Sequence, residues 1–598
     1  MRFGNTLAVF LLILTRYDTI LHASTVIRYA YVLSMKYLLL VLSLCGGFCM
    51  GQQNIPTDYF TNPLEIPLIL SGNFGELRSN HFHSGLDIKT QQRTGIPIYA
   101  PADAYVSRIK VAHGGYGKAL YLKHPNGYST VYAHLDKYAG VIQQYVKTNQ
   151  YSKERFQIEL FPKADELVVK KGDLIGYTGN TGSSGGPHLH FEIRDANSRP
   201  MNPLHFGIAI KDNKAPLVGG VFVYPLSDTA RVNGSKDRIK LRLTRQQDGS
   251  YRGESLTASG TIGFGVATTD QQDGASNKNG TYKLETKVNG QNIYNVTYDR
   301  FSFDETRYLN RHIDYGYYKT NKSRIQKLFR QSNNPLSVIH DEQYNGMLQL
   351  EDGMSYDYQI LLTDWAGNET RIRIPVTAKT TYGHDPSDIV GESMSLAQSD
   401  QANSYTYGPF SVYIPSGSLY QDEWLDLSRS GDTLHVHKDV VPLHKSMSIS
   451  ADVSNYAPAD RDRLYIGRLN YNKPPIHYKT IQDNGRLSIK TRTFGDYVIA
   501  QDLISPSIKP LNFKEGQWVS KLNTLRLKIE DTHSGIASYR ATINGKFILM
   551  EYDYKKDVIV YDFEDHQLEE AENNLKVVVL DNVGNSTTFE ATFFRKNQ

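Results

Sequence analysis

From residue 52 onward, short runs rich in Val, Ile, Tyr, Thr and Phe alternate apolar with polar positions and are broken by Asn-Gly, Asp-Gly and Gly-Asn pairs. A period of two punctuated by turn residues predicts strands joined by tight turns, and sustained helical periodicity is scarce. The chain is therefore predicted to be mainly β. The clearest hairpin runs from Leu120 to His124, turns at Pro125-Asn126-Gly127, and returns from Tyr128 to His134; Asn-Gly supplies the backbone geometry that antiparallel strands prefer.

The far half carries a weak internal repeat. Gln359-Ile-Leu-Leu-Thr-Asp-Trp-Ala-Gly-Asn-Glu-Thr370 parallels Val577-Val-Val-Leu-Asp-Asn-Val-Gly-Asn-Ser-Thr587, and each copy is preceded by a related segment, Tyr282 through Asn289-Gly290 and Tyr539 through Asn544-Gly545. Two copies of a unit this size predict Ig-like β-sandwiches and not a solenoid, which needs a shorter, more regular period. Asp364 and Asp581, in the repeated turns, are read as hairpin-turn residues in preference to calcium ligands, because Asx side chains bond locally to the turn backbone. Residues 380–502 are another strand-rich, Pro- and Gly-containing segment without readable chemistry. The expected division is 1–51 leader, 52–211, 212–379, 380–502 and 503–598.

Composition narrows the function. With 598 residues, several domains are required. Forty per cent hydrophobic content and 66 basic against 62 acidic residues exclude a disordered chain, a collagen-like chain and a strongly basic nucleic-acid binder. Met35-Lys36, an apolar run to Leu44 and small residues up to Gly51 have the form of a secretory signal, with cleavage expected before Gln52 and Met35 the expected start. The run is too short for a comfortable membrane span, and Leu44 and Phe48 occupy positions where a lipoprotein signal wants a small residue. The expected compartment is the periplasm, cell envelope or exterior. Cys45 and Cys49 both lie in this leader, so the mature chain has no thiol chemistry.

Seven of the eighteen histidines (81, 83, 113, 124, 134, 188 and 190) fall within 110 residues, about twice the number expected from even spacing. In His83-Ser-Gly-Leu-Asp87 an extended backbone places His83 and Asp87 on one face, with Gly85 between them. In His188-Leu-His-Phe-Glu192 the two histidines share a face and Leu189 and Phe191 take the other. Two imidazole nitrogens and a carboxylate oxygen suit Zn²⁺ with an open position for water, whose pKa the metal lowers toward about 7. Spacing alone leaves His188 against His190, and His81 against His83, undecided. The Gly-rich run Thr178–Pro187 lacks the Gly-Lys-Ser/Thr ending of a phosphate loop and is read as a turn leading into the His188 strand. His435-Val-His437 has no accompanying His-X₃-Asp and is read as ordinary strand alternation.

His83-Ser-Gly-Leu-Asp87, Tyr132-Ala-His-Leu135 and His188-Leu-His190, in this order, resemble the three signatures of the M23 (LytM/lysostaphin-type) zinc metallopeptidases. Gly95-Ile-Pro-Ile-Tyr-Ala100, Gly114-Gly-Tyr-Gly117 and Val169–Gly182 match the connecting text, so the resemblance covers residues 60–205, roughly a quarter of the chain. It implies an N-terminal antiparallel-β metallopeptidase domain (LytM, duplicated hybrid motif); the several β-sandwich domains expected to follow it rest on the repeat. It assigns zinc to His83, Asp87 and His190, and it makes His134 and His188 the unliganded catalytic histidines. His113 and His124 match no catalytic position. The implied activity is a zinc metalloendopeptidase acting on the peptide cross-links of peptidoglycan. The alternatives are a non-catalytic LytM-like activator of amidases, or a surface scaffold whose β-domains carry the function. One departure stands out: an insertion at about 138–167, in which Arg155–Phe161 is predicted as an extra strand, is expected to reach one rim of the cleft.

Overall fold

The computed structural model describes residues 55–340, 343–380 and 394–596. The leader expected to end at Gly51 lies outside them. Strands dominate, as the alternating pattern requires. Among the described residues no helix is long and apolar enough to cross a membrane.

The first unit of interest contains β1 (Leu70–Gly72), β2 (Leu86–Lys89), β3 (Pro97–Tyr99), β4 (Ala104–Val111), β5 (Lys118–Lys123), β6 (Ser129–Ala133), β7 (Lys137–Tyr138), α1 (Gly140–Ser152), β8 (Ile158–Leu160), β9 (Val168–Val169), β10 (Leu174–Tyr177), β11 (His188–Arg194) and β12 (Pro200–Met201). One antiparallel sheet has the order β1-β2-β11-β6-β5-β4-β8, with β12 on β11 and β9 on β4; a smaller sheet is ordered β3-β10-β7. The last long strand in chain order, β11, is inserted between β2 and β6. Its alternate residues Leu189, Phe191 and Ile193 are fully buried, as are Leu86 and Ile88 of β2. Each such side chain contributes about 1.5–3 kcal/mol by leaving water, which fixes the face that β11 turns inward. A one-residue slip would turn the histidines into the apolar core and this row toward the polar face, so the register is strongly specified. The Asn126-Gly127 hairpin forms as expected, with Lys123 opposite Ser129 and Gly127 at φ 90°.

The insertion differs from its expectation. Its longest element is the helix α1, whose buried residues Ile142, Val146 and Gln150 recur every fourth position; flanking Gln, Lys and Asn residues hide this period in the sequence. The extra strand is real but short, Ile158–Leu160. It pairs with β4 at the sheet edge remote from β2, separated from β6 by β4 and β5. The contacts of α1 run to the final sandwich and not to the ligand residues: Lys147 Nζ and Tyr151 OH meet Asp565 Oδ2 at 2.9 and 3.0 Å, and Arg540 Nη2 meets Glu154 at 2.6 Å.

Three further two-sheet layers follow. Strands between Leu217 and Ala378 form two sheets joined by the stacked rings of Phe264 and Tyr358, 3.7 Å apart. Strands between Met394 and Gln501 enclose a core including Phe410, Leu427, Ile449 and Tyr497. Those between Ser507 and Phe594 enclose Leu527, Ile543 and Val577. The repeated segments are hairpins in both copies, Ser355–Thr363 with Glu369–Ala378 and Glu572–Asp581 with Ser586–Phe594. Their upstream partners turn at Asn289-Gly290 and Asn544-Gly545, all four residues with positive φ.

Candidate metal centre

Asp87 on β2 and His190 on β11 are directly opposite cross-strand partners, and Ala133, one residue before His134, is opposite His190 on the other side. Two adjacent strand pairs thus bring an aspartate and two histidines to one face. His83 arrives differently. It was expected to share a strand face with Asp87, but residues 83–85 precede the strand, which starts at Leu86. An irregular turn carries His83 in, held by His83 N to Glu76 O and Gly75 N to His83 O, both at 2.9 Å. Gly85 is required there because a Cβ would lie 2.3 Å from the Phe191 carbonyl oxygen.

The three groups converge tightly. His83 Nε2 is 3.0 Å from Asp87 Oδ1 and 3.1 Å from His190 Nδ1, and His190 Nδ1 is 2.9 Å from Asp87 Oδ1. Tetrahedral ligands at about 2.0–2.1 Å from Zn²⁺ stand roughly 3.3 Å apart, so a small outward shift accommodates the ion. All three residues are buried. Each imidazole's other nitrogen is committed. His83 Nδ1 donates to Asn73 O at 2.7 Å, and His190 Nε2 donates to Glu192 Oε1 at 2.8 Å. That fixes which nitrogen faces the metal position.

Glu192 is fully buried and received no role from its sequence context, although it continues the 188, 190, 192 face of β11. Ser84 Oγ and Arg194 Nε bind it at 2.7 and 2.6 Å, and Tyr116 OH donates to the same carboxylate. Burial alone would raise its pKa, but Arg194 and His190 hold it below the usual carboxylate range. Arg78 was likewise missed: its Nη2 lies 2.8 Å from Asp87 Oδ2, passing over Gly72, where a Cβ would be 2.4 Å from that nitrogen. Burial would also raise Asp87; His83, with hydrogen bonds from His188, His190 and His83, keeps it well below its ordinary value. For His190, burial pushes the pKa down, but Asp87 and Glu192 outweigh it and raise it to about 9.

His134 and His188 flank the triad with ring centroids 4.7 Å apart. His134 follows β6 in a left-handed conformation, φ 61°, and its Nδ1 donates to Thr181 O at 2.9 Å. His188 Nδ1 donates to Gly186 O at 2.8 Å and lies 3.1 Å from Ser184 Oγ, while Nε2 is 3.4 Å from Asp87 Oδ1. The Gly-rich run therefore orients both histidines through its carbonyls. Burial, then His190 and His188, lower the pKa of His134 to about 3. The other clustered histidines stand apart. His81 is exposed beside Asn80, His124 is a core residue bonded to Asp103 O and Thr130, and His113 packs on Phe156 and Tyr552. His435 pairs with Asp496 away from this centre.

A groove of about 580 Å³ opens beside the triad, lined by Asp87 and His188 and, further along, by Arg78, Lys89, Gln91 and Gln92. An antiparallel β domain that gathers two histidines and a carboxylate beside such a groove, with two further histidines over it, has the architecture of a metallopeptidase. Residues 81–151 and 163–203 match peptidase family M23, and this part of the chain is an M23 domain. Residues 394–502 match the Zu5-like domain. The chain is 38% identical over 122 residues to an uncharacterized metalloprotease of Haemophilus influenzae, covering 20% of each chain. It is 34% identical over 128 residues to the DD-carboxypeptidase/endopeptidase Mpg of Neisseria meningitidis, covering 21% of this chain and 23% of the relative. The matched region thus spans only about a fifth of these relatives. Among solved structures, a point mutant of the catalytic domain of the prophage-encoded M23 protein EnpA from Enterococcus faecalis aligns at 24% identity and TM-score 0.19. That alignment covers 25% of this chain and 98% of that one.

Proposed function

We propose that the chain is an exported zinc metalloendopeptidase that hydrolyses peptide cross-links of peptidoglycan. The observation that carries the reading is the convergence of His83 Nε2, Asp87 Oδ1 and His190 Nδ1 within 3.1 Å of one another, each imidazole locked from behind. Bound there, Zn²⁺ supplies a Lewis acid that lowers the pKa of a water and polarises a carbonyl. His188 lines the groove with its Nδ1 proton committed to Gly186, so its Nε2 accepts a proton from the attacking water and returns it to the leaving amine. His134, kept neutral by its surroundings, packs against His188 and restricts its ring. Arg78 and Lys89 in the groove suit a substrate bearing free carboxylates. The Neisseria relative is a DD-carboxypeptidase/endopeptidase, which supports a peptide as substrate. A purely regulatory role has no support from the ligand set, every member of which is present.

The test is incubation of the purified mature chain with peptidoglycan sacculi, with and without chelator, beside Asp87→Ala. Release of muropeptides that chelator abolishes and zinc restores is expected. Chelator-resistant release, or full activity in the variant, overturns the reading.

A further inference from the structure

Among the described residues, two more clusters of possible metal-ligating groups lie away from the metal centre, and both are built of carboxylates alone. Asp212, Asp270 and Asp364 form one, and Asp502, Asp531 and Asp581 the other; in each, one oxygen of every residue lies within 4.8 Å of the other two. They are copies of one arrangement. Asp212 and Asp502 begin the Asp-X-X-X-Pro segments that lead into a sandwich. Asp270 and Asp531 directly follow the strands Thr261–Thr269 and Thr524–Glu530, and Asp364 and Asp581 open the repeated Asp-X-X-Gly-Asn turns.

The scaffolds match bond for bond. Asn368 N and Nδ2 donate to Asp364 at 2.8 and 2.7 Å, and Asn585 N and Nδ2 donate to Asp581 at the same distances. Asn368 Nδ2 also reaches Asp212 O at 3.3 Å, and Asn585 Nδ2 reaches Asp502 O at 3.0 Å. Thr370 and Thr587 hydroxyls donate to Pro216 O and Pro506 O.

Turn bonding accounts for Asp364 and Asp581, in keeping with the sequence reading, and for one oxygen of Asp531, but it leaves Asp270 and the other oxygen of Asp531 unexplained. Asp270 is only 5% exposed and its Oδ1 is buried without a hydrogen-bond partner; Asp531 is partly exposed and its Oδ1 accepts from the His533 and Gly535 amides, while its Oδ2 is buried without a partner. A carboxylate taken out of water and turned onto two others is unfavourable unless a cation joins them. Burial, then Asp364 and Asp212, push Asp270 up to about 7, and burial also raises Asp531.

We propose that each cluster binds one calcium ion through its three aspartates. The donors are all hard oxygens, which Ca²⁺ takes in irregular geometry, whereas Zn²⁺ favours nitrogen and sulfur and Mg²⁺ demands a near-ideal octahedron. Calcium therefore complements the turn role of Asp364 and Asp581, since each carboxylate has lone pairs beyond those the Asn donors use. Each ion ties a linker residue to a strand end and a turn of the following sandwich, so it fixes the angle at which that sandwich leaves its predecessor. The second ion bears on the metal centre, because the sandwich it orients reaches the Gly-rich loop through Tyr554 and Lys555.

The test uses the full mature chain, stripped of divalent ions, reloaded with zinc and titrated with CaCl₂ by calorimetry and thermal unfolding, beside Asp270→Asn, Asp531→Asn and the double variant. Two calcium ions per chain are expected, with Kd on the order of 10⁻⁴–10⁻³ M, the range of extracellular modules. One ion should bind in each single variant and none in the double, which also loses the calcium-dependent rise in unfolding temperature. Asparagine removes the uncompensated charge and keeps the shape, so without calcium the variants should unfold at or above the wild-type temperature. Should Asp270→Asn fail to fold, the half-exposed Asp212→Asn replaces it. A wild-type chain that takes up no calcium above that range, a double variant that binds like wild type, or an equal response to Mg²⁺ overturns the proposal.

Discussion

At the scale of the residue, the centre is organised from behind its ligands. Four imidazoles, His83, His134, His188 and His190, each commit one nitrogen to a backbone carbonyl or, for His190, to Glu192. Glu192→Gln weakens the orienting hydrogen bond, and zinc affinity is expected to fall about 10–100-fold in a chelator competition assay. His188→Ala should retain zinc yet lower kcat by about 10²–10⁴-fold on a peptide substrate. The raised pKa of His190, about 9, sets the pH behaviour of the metal-free chain. A folded-state value above the unfolded one means that the stabilisation is fully present below the ordinary histidine value and lost as pH rises through about 9. Unfolding temperature of the metal-free chain should decline across that window. Zinc must displace the same proton, so its affinity should climb roughly tenfold per pH unit until about pH 9, measurable as proton release in buffers of different ionisation enthalpy.

At the scale of the element, the site depends on β11 occupying the space between β2 and β6. The His-Leu-His-Phe alternation was readable because strand sterics put every second side chain on one face and burial of Leu189 and Phe191 chooses which. The His83 segment was misread because its conformation is imposed by the Phe191 backbone, which the local sequence does not contain. Gly85→Ala tests this: the clash with the Phe191 carbonyl should destabilise by about 1–3 kcal/mol and reduce zinc content, read from thermal unfolding and metal analysis. Helix α1 escaped notice because a short amphipathic stripe of Ile142, Val146 and Gln150 carries little apolar signal.

At the scale of the molecule, the final sandwich closes back on the M23 domain. Lys118 Nζ binds Glu551 at 2.8 and 3.0 Å and Asp136 O at 2.7 Å. Tyr554 and Lys555 hold the loop at 180–184, Lys555 bonding to the carbonyls of Asn180 and Ser184. That loop carries Thr181, which orients His134, and leads to Gly186, which orients His188. Lys555→Ala should lower kcat about 2–10-fold with zinc content unchanged, the loss of roughly one hydrogen bond's restraint on the loop. The sequence by itself determined the β class, the Asn-Gly hairpins, the His and Asp signatures and the repeat, because each rests on backbone sterics and side-chain period within a few residues. Only tertiary structure decided that Glu192 and Arg78 stand behind the ligands, that the insertion docks through a helix, and that six aspartates far apart in the chain meet in two triads. Those outcomes depend on which polar groups packing removes from water and whom it leaves them to face, and no local pattern encodes that.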